Sequence, residues 1–263
     1  MIHYQKTNRT LWFIIALLTI VASVNGLIFP EIYQPFVKPA QLPGLVSQDL
    51  MSLIAALALF LFSFFSRSID ARKLVIAVGI LGYLFYAYGI YVIEQFYTVW
   101  YFLYMGIFGL SFYTIFTGIL AIDSSLWINI RVSHKVHIIS AIFLLLIPFI
   151  FYPLWIMQIV PLIRESQRAG VFYSIYILDL CFILPAMIVI AIMSLKNRGW
   201  AILFQPALLF WGGMLLFSVA LGGFIHWIQE HTINMKETTF YFVLSMVFLR
   251  LTVMYFRKLQ FND

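Results

Sequence analysis

Stretches of about twenty apolar residues, each closed by charge, proline or glycine, recur eight times along the chain. They cover roughly 10–29, 47–66, 74–94, 98–122, 136–160, 173–195, 200–225 and 239–256. At the helical rise of about 1.5 Å per residue, each is long enough to cross the hydrocarbon of a bilayer. Lipid leaves two spanning solutions, a helix or a closed barrel, because every backbone N–H and C=O must find a partner inside the chain. A barrel strand alternates apolar and polar positions. The run from Leu53 to Phe65 does not. The predicted fold class is therefore all-α: a polytopic membrane helix bundle of eight transmembrane helices.

Composition sharpens this. The chain is 63% hydrophobic and 10% charged, where soluble domains are about half apolar and a quarter charged. The net charge of +6 raises the question of nucleic acid, but its placement answers it. With eight spans, twelve of the sixteen Lys and Arg fall on one side, in the N-terminal stretch, three short loops and the C-terminal end; Lys38, Arg164, Arg168 and Lys236 fall on the other. That asymmetry is an orientation signal. It predicts a cell-membrane protein with both termini cytoplasmic, partnered by the lipid bilayer and not by nucleic acid. The first span has the look of a signal peptide, with Lys6 and Arg9 before Leu11 to Ile20 and a passable cleavage site at Val21-Ala22-Ser23. Its apolar run continues to Phe29, which favours a retained helix.

Landmarks recur between the halves. Pro30 closes the first span and Pro161 the fifth; Asp49 and Asp179 follow them at nearly equal distances, and basic residues resume at Arg67 and Lys196. Four spans per copy return the chain to its starting side. The expectation is two parallel four-helix repeats, 1–130 and 131–263, related by a pseudo-two-fold along the membrane normal.

The two aspartates head apolar runs, and both fall toward the outer face. Asp49 reads as a first-turn acid answering the helix dipole, with Ser47 as a plausible N-cap. Asp179 lies deeper if its helix starts near Tyr173, and an ionisable group inside a span is a functional candidate. Pro185, six residues on, frees the carbonyl of Cys181 and favours a kink beside the acid. Glu94, Gln158, His226, Glu230 and His231 are the other outer-end polar groups; His226 and Glu230 share a helix face if span seven reaches that far. Asp49, Asp179, Glu94 and His226 are the candidate ligand- or ion-binding residues. No metal site is predicted, since the pattern is not His-Glu-x-x-His.

Other features read more plainly. His134 and His137 suit headgroup contacts, Arg250 suits snorkelling with Asp123 as the alternative partner, and Cys181 packs as a small core residue. Tyr83 and Tyr86 lie deep enough to line a cavity, although core packing explains them as well. No lysine stands in the last spans to hold a retinal, and no P-loop, dinucleotide loop or Gly-x-Ser-x-Gly motif occurs. No cofactor is implied.

Gly26-Leu27 through Pro30 and Tyr33, then Gln48-Asp49-Leu50, resemble an uncharacterised group of bacterial eight-helix membrane proteins with Gly-Leu-x-x-Pro-x-x-Tyr and Gly-Gln-Asp-Leu words. Leu154-Trp155, Val160-Pro161, Leu178-Asp179-Leu180, Pro185 and Gln205 to Leu209 extend the likeness over about residues 25 to 215. Ser47 stands where glycine is usual, and Ala58 lies where a Pro-Leu pair is usual. The resemblance implies architecture and no particular activity. Three functions stay open: a small-molecule or cation/proton transporter or binding protein, an intramembrane enzyme acting on a lipid or quinone, and an accessory or sensory protein without a pocket.

Overall fold

The computed structural model describes residues 2–65, 69–123, 127, 130–166, 170, 172–230 and 234–261. Eight helices in it are long and apolar enough to span a membrane. They are α1 (Gln5–Ile28), α2 (Leu42–Phe65), α3 (Ala71–Ile93), α4 (Tyr101–Leu120), α5 (His134–Arg164), α6 (Ser174–Leu195), α7 (Gly199–Glu230) and α8 (Met235–Lys258). The fold is an all-α helical bundle, and the protein is a multi-pass membrane protein. A two-residue antiparallel ladder of Ile130–Arg131 with Gln260–Phe261 ties the chain beyond α8 to the segment before α5.

The outside of the bundle is as apolar as its inside. Phe102, Phe149 and Leu120 are 85%, 79% and 72% exposed, which is tenable only where the solvent is lipid. Cys181, expected in the core, is also exposed.

The helix α3 is the axis. It is 78% buried over its spanning window, and no other span exceeds 44%. Its small residues let neighbours approach. A β-carbon at Gly79 would lie 2.9 Å from the Ala207 carbonyl on α7. One at Gly89 would lie 3.0 Å from Phe108 of α4 and 3.1 Å from Leu178 of α6. Without those β-carbons, three helices pack against α3 at close range, where dispersion is strongest.

The helix α2 starts earlier than its apolar run. Pro39 opens a 3-10 turn, Lys38 N–H donates to Gln41 Oε1 at 3.0 Å, and Pro43 occupies the first turn, where its missing N–H costs nothing. Ser47 is therefore inside the helix, and its hydroxyl bonds back to the Gly44 carbonyl at 2.7 Å instead of capping. Asp49 follows seven residues after Leu42, about 10 Å along the axis, and is not a first-turn acid.

The helix α6 is broken in its first half. It runs as an α-turn over Ser174–Leu178, a π-turn over Asp179–Ile183 and an α-helix over Leu184–Leu195. Within the π-turn the Leu184 N–H reaches five residues back to the Asp179 carbonyl. By the same step Pro185 has no amide for the Leu180 carbonyl, and the Tyr152 hydroxyl donates there at 3.2 Å. The wider turn moves the orphaned acceptor from Cys181, where a regular α-helix would leave it, to Leu180.

At the end bearing most of the basic residues, the second half is locked by a buried polar network. The His137 Nε2–H donates to the Ser194 carbonyl at 2.8 Å, Gln205 Nε2 donates to the His137 carbonyl at 3.1 Å, and the Ser194 and Tyr255 hydroxyls both donate to Gln205 Oε1. His137 is thus a core residue joining α5, α6 and α7, not a headgroup contact. His134 lies outside this network and is exposed. Arg250 is exposed, as snorkelling requires, and Asp123 pairs with His3 at 3.2 Å.

Candidate ligand site

Both aspartates lie at the end of the bundle opposite the His137 network, on two flanks of α3. Asp49 is 1% exposed. Its Oδ2 accepts from the Tyr33 hydroxyl at 2.8 Å and its Oδ1 from the Tyr91 hydroxyl at 3.0 Å. The two phenol rings stack 5.5 Å apart at an angle of 11°. Burial, with Tyr91 and Asp49 close by, pushes the Tyr33 phenol well above its usual range, so it stays a neutral donor. Gly26 of α1 closes the remaining side. A β-carbon there would collide with Asp49 Oδ2 and the Tyr33 hydroxyl. The neighbouring Gln48 turns away, donating from Nε2 to the Ala87 carbonyl of α3 at 3.0 Å.

Asp179 stands on the first residue of the π-turn and is 8% exposed. The Trp155 indole N–H donates to its Oδ2 at 2.8 Å, and Tyr86 lines the same cavity close by. Trp155 follows Pro148 and Pro153 inside α5. Tyr86 sits on the axial helix and packs edge-on against Trp211 of α7, with ring centroids 5.7 Å apart. Asp179 is thus placed by Trp155 of α5 and by a local break in its own helix.

Beside Asp179 lies a cavity of about 550 Å³. It reaches from Gln41, Asn234 and Glu237, near the starts of α2 and α8, inward to Met187 and Phe248. Those last two lie thirteen residues into α6 and α8, or about 20 Å along their axes. The walls are mostly apolar and aromatic, with Trp155, Tyr86, Trp211 and Tyr241 around the acid. Such a volume and lining are what small-molecule sites have. The Trp211 side chain is 4% exposed, and its indole N–H has no acceptor among the described residues.

The four candidate residues separate. Asp179 and His226 line the cavity. Asp49 does not reach it, because α1, Tyr33 and Tyr91 enclose its carboxylate on the other side of α3. Glu94 does not reach it either. Its Oε1 accepts from the Ser174 N–H at 2.7 Å and so satisfies a free donor at the start of α6. The side chain of Glu230 and the residue His231 lie outside the described residues. Among the described residues, no three of His, Cys, Asp and Glu converge to hold a metal ion.

Several wall residues were not read as site residues from the sequence, above all Trp211 and Glu237, and Trp155 entered only through the resemblance. Trp155 is 24 residues from Asp179 and Trp211 is 32, so no local pattern links them. Pro185 was the one available signal, since it marks the turn that carries the acid.

Fold and site together define the class: a multi-pass all-α membrane protein with a cavity open among its spans and an acid in the cavity wall. Comparison with protein-family models, with curated proteins and with solved structures finds no match to this chain.

Proposed function

We propose that the protein is a small-molecule or cation transporter or binding protein whose site is the cavity at Asp179, with His226 near its mouth. The observation that carries this reading is the cavity itself. A volume of about 550 Å³ inside a bundle otherwise packed around α3 is large for a structural void. It also opens beside the one π-turn among the described residues, a feature enriched at functional sites. The accessory reading has no use for such a space. The enzyme reading needs an acid–base partner for Asp179, and the side chain hydrogen-bonded to it is an indole, which binds and orients but does not exchange protons near neutral pH.

In this proposal Asp49 and Glu94 support the site. Asp49 joins α1, α2 and α3, and Glu94 anchors α6. The charge asymmetry supports an orientation with the cavity mouth facing away from the cytoplasm and both termini inside. A duplicated origin for 1–130 and 131–263 is supported by matched contacts. The Arg9 Nε–H of α1 donates to the Ser63 carbonyl of α2 at 2.9 Å, as His137 of α5 donates to the Ser194 carbonyl of α6.

The test is thiol accessibility. In a Cys181→Ser background, Ser218→Cys places a thiol in the cavity wall, and Ser111→Cys places one in a fully buried position away from it. A membrane-impermeant maleimide added from the side opposite the termini is expected to modify Ser218→Cys at least tenfold faster. Equal rates would refute a solvent-reachable site, and faster reaction from the other side would refute the orientation.

A further inference from the structure

The chemistry of the cavity wall narrows the ligand, on the premise that the cavity is a binding site. Two carboxylates line it at successive depths, Glu237 in the first turn of α8 and Asp179 five residues into α6. Among the described residues no lysine or arginine lines it, and His226 is the basic side chain in its wall. Neither acid has a cationic partner among the described residues: Glu237 accepts from Asn234 Nδ2 at 3.0 Å, and Asp179 from Trp155. A carboxylate offers about four lone-pair positions, so one neutral donor leaves Asp179 room for more. That donor is the edge of an indole, and Tyr86, Trp211 and Tyr241 also line the cavity; aromatic rings favour a cation over an anion. An anion would meet two negative charges here.

Size and polarity set the rest. The volume of about 550 Å³ is far too large for a bare metal ion and suits an organic molecule. Inward of Asp179 the lining turns apolar, with Ile183, Leu184, Met187, Leu244 and Phe248. The unpartnered Trp211 N–H leaves one buried donor for an acceptor atom on the ligand. We infer that the cavity takes a protonated organic amine on an apolar body. The ammonium meets Asp179 between Trp155 and Tyr86, the body points toward Met187 and Phe248, and Glu237 draws the cation in at the rim.

The experiment uses the full chain in nanodiscs of uncharged lipid, with empty discs subtracted. Three fluorescent probes share one ring system: dansylcadaverine, which carries a primary ammonium; N-butyl dansylamide, which is neutral; and dansyl-aminohexanoate, which is anionic. The ammonium probe is expected to bind at least tenfold more tightly than the neutral one, and the anion not at all. Asp179→Asn, nearly isosteric, removes the preference, and Glu237→Gln slows association of the cation with a smaller effect on affinity. Equal binding of the cationic and neutral probes overturns charge recognition, while the Ser218→Cys labelling can still succeed and leave the binding site standing. Absence of binding by all three probes, or a preference that survives Asp179→Asn, overturns the inference as well. If labelling also fails, the cavity reading fails with it.

Discussion

Asp49 and Asp179 make an instructive pair. Each is followed by leucine, each sits in the first half of a spanning helix, and each accepts a hydrogen bond from at least one aromatic side chain. Yet Asp49 is enclosed and Asp179 borders a cavity. The difference lies in what each helix does locally and in what covers the acid. The helix α2 is regular past Asp49, and Gly26 lets α1 close over it. The helix α6 widens into a π-turn at Asp179, and Trp155 of α5 reaches the acid while a cavity remains beyond. A buried carboxylate with every neighbour fixed acts as a fastening. The same group with one open side is available to a ligand.

Substitutions should separate the two regions, and the largest effect belongs at Gly26. A β-carbon there collides with the Asp49 carboxylate and the Tyr33 hydroxyl, so Gly26→Ala is expected to destabilise by about 3 kcal/mol. Thermal unfolding in detergent should show this as a large drop in midpoint or a loss of folded protein. Asp49→Leu comes next, at about 2–3 kcal/mol, because two buried phenols lose their acceptor. Tyr91→Phe removes one hydrogen bond and is expected to cost about 1 kcal/mol by the same assay. Asp179→Asn should change the unfolding midpoint least, by under about 1 kcal/mol, since the amide keeps an acceptor for Trp155 and borders a cavity. Comparable losses from Asp49→Leu and Asp179→Asn would dissolve the distinction.

The eight spans were legible because lipid demands long apolar runs, and an observed helix overlaps each of the eight. The break in α6 was legible in kind from Pro185, though the π-turn shifted its effect by one residue. Ser47 misled because an N-cap is inferred from the start of an apolar run, and α2 begins with a polar turn held by Pro39, Gln41 and Pro43. His137 misled because its partners lie 57 and 68 residues away, and its burial depends on them. The unequal surroundings of Asp49 and Asp179 were not legible either. They follow from Gly26, Tyr33, Trp155 and Tyr86, which meet the acids only once the helices pack.

The most direct measurement is carboxyl modification of the intact protein by a water-soluble carbodiimide with an amine nucleophile, read residue by residue by mass spectrometry. The structure predicts that Asp179 is modified and Asp49 is spared until the protein is unfolded. Modification of Asp49 at the rate of Asp179, or protection of both in the folded state, would contradict it.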